Sequence, residues 1–314
     1  MIEKGNSGTF FHAVARPQIA ESEATYRAIS LAEVTDTPIL IVHMSAPQAI
    51  QHVQRAQRRL LPIHAETCPH YLYLLSDRLR SGLQDFEGAK YICAPPLRHD
   101  PSDLEKIWKS LANGTFTVVS SDHAPTAFDH PTGKTKGMRI DAHGHVCGDF
   151  NHVPNGLPGV ETRLPLLFDR TFDPTVRRAA SDGKILISLP RFVELTSTNP
   201  AKLYGLGGRK GSLLPGYDAD IVIWHPEKPG SSFEITNGAL HHSIDYTPFE
   251  GIKVRNWPRY VFLRGSLAWH KDGNGVTAAK GDGMFLRRGT STILTGQTGR
   301  LAAGMQAGER SYWM

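Results

Sequence analysis

Two apolar segments of the chain each lead into a polar residue that a strand interior would not normally tolerate. Residues 38–45 read PILIVHMS and residues 115–122 read TFTVVSSD, so His43 and Asp122 come at the end of runs rich in β-branched side chains. A segment that is apolar on both faces predicts a strand of a parallel sheet covered on both sides. Functional groups at the carboxyl ends of such strands are typical of a (β/α) barrel. We therefore expect His43 and Asp122 at one rim of a barrel.

Helix-like and strand-like patterns alternate through the first two thirds of the sequence. The predicted helices and strands, in chain order, are 22–34, 38–43, 46–60, 62–67, 91–94, 102–113 and 115–121. This alternation predicts right-handed crossovers and a parallel sheet, which defines an α/β fold. From about residue 206 the pattern changes to strands and turns, with a hairpin predicted about Arg264 and Gly265. The predicted domains are a (β/α) barrel over 1–205, a β-rich domain over 206–289 and an extended tail over 290–314.

Composition excludes several classes of protein. A net charge of +5 over 314 residues, with no dense run of Lys or Arg, gives no reason to propose a nucleic-acid partner. The three cysteines, Cys68, Cys93 and Cys147, form no CxxC pair, which argues against a disulfide framework and favours a reducing compartment. No apolar run approaches the roughly 20 residues that cross a bilayer, and residues 1–8 do not resemble a signal peptide. We expect a cytoplasmic protein with no membrane partner.

His43 and Asp122 are the first candidates for chemistry. An imidazole and a carboxylate that meet at one rim could bind a divalent cation, which lowers the pKa of a bound water to about 7. Two ordinary interpretations stay open beside this one. A histidine at a strand end is more often a hydrogen-bonded structural residue, and an Asp-His dipeptide often caps a helix or forms a turn.

Other metal-capable residues are weaker candidates. His143 and His145 form a His-x-His pair, but glycine surrounds them and no apolar strand precedes them, so the segment 127–155 is predicted to be a mobile, solvated loop. Cys68 and Cys93 follow strand-like runs and are predicted to be small core residues rather than nucleophiles.

Several longer segments together resemble the dihydropyrimidinase/hydantoinase branch of the cyclic amidohydrolases. The segments are 42–45 (VHMS), 66–72 (ETCPHYL), 95–98 (PPLR), 121–125 (SDHAP), 154–161 (PNGLPGVE), 199–202 (NPAK) and 245–251 (DYTPFEG). The resemblance spans nearly the whole chain and corresponds to the carboxyl-terminal two thirds of such an enzyme. It implies a partial (β/α)8 barrel of the TIM type followed by a small β-sandwich.

The resemblance also implies a reaction and a set of site residues. Family enzymes hold two zinc ions and hydrolyse cyclic amides such as 5,6-dihydrouracil or a hydantoin. His43 matches a metal ligand, and Asp122 matches the catalytic aspartate that binds metal and relays a proton. Cys93, Ala94 and Asn155 match the substrate-binding positions. Ala94 stands where the family usually has serine, which removes a hydroxyl and leaves main-chain contacts possible.

One departure from the family pattern is large. The family's His-x-His pair, its carbamylated lysine and a further histidine have no counterpart in the 314 residues, because their positions precede residue 1. We therefore predict a dihydropyrimidinase-like hydrolase whose metal site is incomplete in this chain, and which is inactive or impaired by itself.

Three alternatives remain. An allantoinase is the nearest enzymatic rival, since the segment 93–96 (CAPP) suits it, whereas 154–159 (PNGLPG) favours a hydantoinase. The second is a non-catalytic scaffold related to the family, and the presence of both His43 and Asp122 argues against it. The third is a fragment without activity that persists as an oligomerisation partner of a full-length copy. The leading interpretation places the chain in pyrimidine catabolism and predicts a homotetramer.

Overall fold

Three short parallel strands form the sheet that leads to His43 and Asp122. They are β1 (Ile39–Ile41), β2 (Ile63–Thr67) and β3 (Val118–Val119), in the spatial order β1-β2-β3. β2 is the central strand and all five of its residues are buried. The computed structural model describes residues 5–82, 85–172, 187–224 and 232–293. The parallel sheet predicted from the two apolar runs is confirmed.

Five α-helices accompany this sheet along the described part of residues 11–112. They are α1 (Phe11–Val14), α2 (Gln18–Val34), α3 (Pro47–Arg58), α4 (His70–Tyr73) and α5 (Pro101–Ala112). α3 buries Ala49, Ile50 and Val53 on one face and exposes most of its Gln and Arg side chains. Trp108 of α5 is fully buried, and its indole N–H donates to the carbonyl of Leu72 at 3.2 Å.

Two sequence predictions in this region are wrong. The segment 91–94 is no strand, because a 3₁₀ helix runs over Glu87–Tyr91 and the following residues pair with no strand in the described chain. Residues 127–155 are not an irregular loop. They contain a 3₁₀ helix over Lys134–Gly137, the antiparallel strands β4 (Met138–Ile140) and β5 (Val146–Gly148), and a second 3₁₀ helix over Phe150–His152.

Shorter elements complete the α/β part. They are α6 (Arg163–Asp169), the parallel strands β6 (Thr171–Phe172) and β7 (Ile187–Ser188), α7 (Leu189–Val193), a π-helical segment (Glu194–Thr198) and α8 (Asn199–Leu203). Among the described residues the β6-β7 pair stays separate from the β1-β2-β3 sheet. The architecture is therefore a partial (β/α) barrel, and no closed barrel forms in this part of the chain.

The last third of the described chain is antiparallel. Its strands are β8 (Ile221–Trp224), β9 (Phe233–Glu234), β10 (Lys253–Val254), β11 (Pro258–Leu263), β12 (Ser266–His270) and β13 (Gly275–Val276). Four of them form a sheet in the order β13-β12-β11-β8, and β9 pairs with β10. Arg264 and Gly265 link β11 to β12 with φ angles of 50° and 84°. Positive φ at both positions is typical of tight hairpin turns, and the predicted hairpin is confirmed.

The predicted tail begins with four described residues. Ile293 is buried, and the N–H of Thr292 donates to the carbonyl of Lys202 in α8 at 3.1 Å. The rest of the predicted tail, 294–314, lies outside the described residues, as does 173–186 between β6 and β7. In the described chain, no helix combines the length and the apolar character that a membrane crossing requires.

Candidate active site at the carboxyl ends of the parallel strands

His43 and Asp122 share an unusual backbone conformation. His43 lies two residues beyond β1 and Asp122 three residues beyond β3, with φ angles of 43° and 46°. A non-glycine residue in the left-handed region costs on the order of 1–3 kcal/mol, and such residues concentrate at functional sites. Because the two strands are parallel members of one sheet, both turns occur at the same edge of it.

Glu66 connects these two turns from the central strand. Its carboxylate accepts a hydrogen bond from the Ser120 hydroxyl at 2.7 Å, two residues before Asp122. Burial raises the pKa of Glu66, while the Ser120 hydroxyl and the main-chain N–H of His43 lower it and the charge of Asp122 raises it. Glu66 therefore holds the main chain of His43 and the side chain of Ser120, which lies two residues before Asp122. Sequence reasoning missed this residue, although a carboxylate in the apolar strand 62–67 was a signal.

The side-chain atoms with which His43 and Asp122 could bind a metal make no hydrogen bond or ion pair within the described structure. The Nδ1 atom of His43 is buried without a hydrogen bond, and no hydrogen bond or ion pair holds the Asp122 carboxylate. Both are donor types that zinc accepts, but protein zinc sites use three or four protein ligands. The described residues contain no group of three or more His, Cys, Asp or Glu side chains placed to hold a metal. His43 and Asp122 are thus two side chains of the types that zinc accepts, and metal binding by them stays a prediction.

Ala94 and Asn155 present unused main-chain groups. Both residues are exposed, and within the described chain neither peptide N–H nor carbonyl makes a hydrogen bond. The segments that carry them are joined, since the N–H of Gly156 donates to the carbonyl of Ile92 at 3.1 Å. A polar ligand could therefore bind main-chain donors and acceptors from both segments together.

A cleft of about 560 Å³ brings Ala94 and His43 to one surface. This volume lies within the range of roughly 300–1,000 Å³ that is typical of small-molecule sites. One wall contains Arg98, which is buried and whose guanidinium donates to Glu21 Oε2 at 2.6 Å and to Ser45 Oγ at 2.9 Å. The Arg98 guanidinium is therefore occupied by protein acceptors. His43 and Ala94 line this cleft, whereas Asp122 and Asn155 are not among its lining residues.

Comparison with known proteins identifies the family. The model of the amidohydrolase family matches residues 13–268, which is most of the chain. This chain belongs to the amidohydrolase family.

Several proteins similar to this amidohydrolase are hydantoinases. It is 39% identical over 287 residues to a D-hydantoinase of Ralstonia pickettii, a match that covers 91% of this chain and 56% of that protein. A D-phenylhydantoinase of Escherichia coli O1:K1 is 36% identical over 288 residues, with the same two coverages. The amidohydrolase spans about 56% of the length of these curated relatives.

Solved structures of similar proteins share the fold. A D-hydantoinase structure superposes with a TM-score of 0.78 at 38% identity, covering 92% of this amidohydrolase and 57% of that chain. The dihydropyrimidinase of Brevibacillus agri gives a TM-score of 0.78 at 34% identity, with 92% and 56% covered. The partial barrel with a β-rich carboxyl-terminal part is thus the fold of the corresponding region of hydantoinases.

Cys93 and the histidine pair occupy different environments in the amidohydrolase. Cys93 is buried, its thiol lies 3.3 Å from the carbonyl oxygen of Pro95, and burial raises its pKa to about 12. This environment suits the small core residue expected from the strand-like context of Cys93. His143 and His145 are placed at the exposed β4-β5 turn, where the carboxylate of Asp141 accepts both of their main-chain N–H groups.

Gly156 fixes the path of the chain beside Asn155. Its φ is 114°, and a Cβ at this position would overlap the carbonyl oxygen of Ala124, two residues after Asp122. We expect Gly156→Ala to lower the free energy of unfolding by about 1–3 kcal/mol and to displace Asn155. Urea denaturation measures the first effect. Gly238→Ala is the control, because a Cβ there meets no atom within 4 Å, and an equal loss in the two variants would contradict the steric argument.

Proposed function

We propose that this amidohydrolase binds cyclic amides such as 5,6-dihydrouracil or a hydantoin and acts in the hydrolytic opening of their rings. One observation carries the proposal. Ala94 and Asn155 offer unused main-chain donors and acceptors on joined segments, and His43 shares a cleft with Ala94. The similarity to D-hydantoinases supports this class of substrate.

The ring of a cyclic imide suits such a surface. It presents alternating C=O and N–H groups in one plane, and peptide groups can pair with both. Main-chain groups of Ala94 and Asn155 would hold the ring, which makes the serine hydroxyl that the family usually has at position 94 dispensable for binding. Buried Cys93 lies beneath this contact and supports Ala94.

Asp122 is the proposed proton-transferring group. Its carboxylate has no hydrogen bond or ion pair within the described residues, so it is free to accept a proton and to return it to the ring nitrogen that departs. We propose His43 and Asp122 as this chain's contribution to a zinc centre. We further propose that groups beyond His43 and Asp122 would be needed to activate the attacking water, since zinc sites use three or four protein ligands.

The binding step can be tested separately from hydrolysis. Titration of the 314-residue chain with 5,6-dihydrouracil should shift the amide NMR signals of Ala94 and Asn155. Binding should be lost in the Gly156→Ala variant and kept in the Gly238→Ala variant. The proposed function would be contradicted if the amide chemical shifts of Ala94 and Asn155 in the wild-type chain changed with neither dihydrouracil nor hydantoin.

We expect the chain by itself to have no hydrolase activity. Incubated with zinc, it should release no ring-opened product from dihydrouracil, because His43 and Asp122 are too few ligands to hold a binuclear centre. Chromatography of the product and metal analysis of the protein measure both points. The D-hydantoinase of Ralstonia pickettii, assayed in parallel on a hydantoin, shows that the assay works. Chelator-sensitive hydrolysis by a chain with two bound metal ions would refute this expectation.

A further inference from the structure

Lys134 is a lysine whose side chain is completely buried. Its ammonium donates to three main-chain carbonyls, those of Ile92 at 2.9 Å, Pro154 at 2.7 Å and Gly156 at 2.7 Å. Within the described chain it makes no ion pair with a carboxylate. Lysine is seldom fully buried without a charged partner, since desolvation of an ammonium is costly. Within the described chain, the dipoles of these three carbonyls therefore stabilise the cation in place of a carboxylate.

The three carbonyls belong to the two segments that carry the proposed ligand contacts. Ile92 precedes Ala94 by two residues, and Pro154 and Gly156 are the two neighbours of Asn155. An ammonium has three N–H donors, and each of them is used here. The exposed peptides of Ala94 and Asn155 are thus attached, from the buried side, to one common centre.

A second buried side chain acts on the same segment. His12 is 1% exposed, and its Nε2 lies 2.8 Å from the carbonyl oxygen of Cys93. Burial lowers the pKa of His12 to about 4, so the neutral ring donates its Nε2–H to this oxygen at neutral pH. The carbonyls of Ile92 and Cys93 are consequently both occupied, and Ala94 is the next residue whose main chain remains open.

We propose that Lys134 is a positioning residue for the ligand: it holds the peptide groups of Ala94 and Asn155 at the separation that a cyclic amide ring requires. This inference rests on the proposed function, because it assigns Lys134 a role in that same site. Lys134 itself touches no ligand. It acts through the carbonyls of Ile92, Pro154 and Gly156.

The experiment compares two lysines of one 3₁₀ helix. Lys134→Met removes the buried ammonium with little change of volume, and Lys136→Met removes an exposed one. Burial lowers the pKa of Lys134 to about 7, so both variants are measured at pH 6, where the wild-type side chain is mainly the three-donor ammonium. We expect Lys134→Met to bind 5,6-dihydrouracil at least tenfold more weakly. Its Gly156 amide should also exchange with solvent at least tenfold faster, and Lys136→Met should match the wild type in both.

The outcomes separate this inference from the proposed function. Wild-type affinity in Lys134→Met, or an unchanged exchange rate at Gly156, overturns the positioning role. If the wild type binds no cyclic amide, the proposed function fails, and the exchange rate at Gly156 alone decides whether Lys134 fixes the segment.

A measurement on the wild type covers the case in which Lys134→Met does not fold. The Nζ protons of Lys134 and the amide proton of Gly156 should show protection factors within about tenfold of each other, because one opening event exposes both. Much weaker protection at Gly156 would show that the segment moves while the lysine stays bonded, and it would overturn the inference.

Discussion

Replacement of Glu21 by alanine should lower the free energy of unfolding by about 3–5 kcal/mol, because it leaves a buried guanidinium without its partner. Arg98 is 6% exposed and Glu21 11% exposed, and their side chains meet at 2.6 Å. The same carboxylate accepts the N–H groups of Ser45 at 2.8 Å and Ala46 at 2.9 Å, just before α3 begins. Glu21→Ala therefore also frees the segment that follows His43. Equilibrium denaturation in urea measures the loss.

A second glutamate of α2 provides the control. Glu23 pairs with Arg27 at 3.4 Å, but the two side chains are 59% and 66% exposed. Solvent screens such a pair, so Glu23→Ala should cost less than about 1 kcal/mol. Replacement of both members of the buried pair, Glu21→Met with Arg98→Met, should recover part of the loss, since no charge is then left buried. Equal losses in Glu21→Ala and Glu23→Ala would show that the buried pair contributes no more than the exposed one.

The sequence was sufficient to predict those elements whose local pattern agrees with their packing. The apolar run 38–43 contains β1, and Gly265 suits the positive φ of the hairpin turn, so in both places the local preference agrees with the fold. The strand predicted at 91–94 fails for a physical reason. The carbonyl of Ile92 is bonded to Lys134 and Gly156, and that of Cys93 to His12, instead of to a neighbouring strand.

The start of helix α2 also differs from the one predicted from sequence. A helix was predicted from Ser22, yet α2 begins at Gln18, directly after Pro17. The additional turn carries Glu21, whose partners are Ser45, Ala46 and Arg98, between 24 and 77 residues away in sequence. A window of local residues contains no information on partners at that distance, although Pro17 is itself a local signal for a helix start.

Some residues of the candidate site could be predicted from sequence and others could not. His43 and Asp122 could be proposed from sequence because each follows an apolar strand, and Ala94 and Asn155 only from family resemblance. Glu66 and Lys134 were not found at all. Both are buried residues whose hydrogen-bond partners are remote in sequence: the carbonyl acceptors of Lys134 are 20 to 42 residues away, and Ser120 is 54 residues from Glu66. Hydrogen-bond partners of this kind become visible only once the chain is folded.

The buried histidines of the described chain are His12, His64 and His70, and of these His12 and His64 should make the fold sensitive to acid. Burial lowers the pKa of His12 to about 4, and burial lowers the pKa of His64 to about 4 as well. Both side chains are at most 2% exposed, and His64 Nδ1 lies 3.3 Å from the Thr117 hydroxyl. An unfolded chain takes up protons on these rings near the ordinary pKa of about 6.5, while the folded chain stays unprotonated until about pH 4. Below pH 6.5 the unfolded state therefore binds more protons, and stability falls as the pH falls.

The expected loss is complete near pH 4 and amounts to at most about 3 kcal/mol for each histidine. Urea denaturation at several pH values between 4 and 7.5 gives the slope of the free energy of unfolding against pH. His64→Gln should be less stable than the wild type at pH 7.5, since the packing is disturbed, but the difference should shrink towards pH 4 because the variant has lost one titrating ring. The exposed His99, replaced by Gln, provides a variant that keeps both buried rings and should follow the wild-type profile. A His64→Gln profile parallel to that of the wild type would show that His64 takes up its proton at the same pH in the folded and the unfolded chain, and its burial would then have no share in the acid sensitivity.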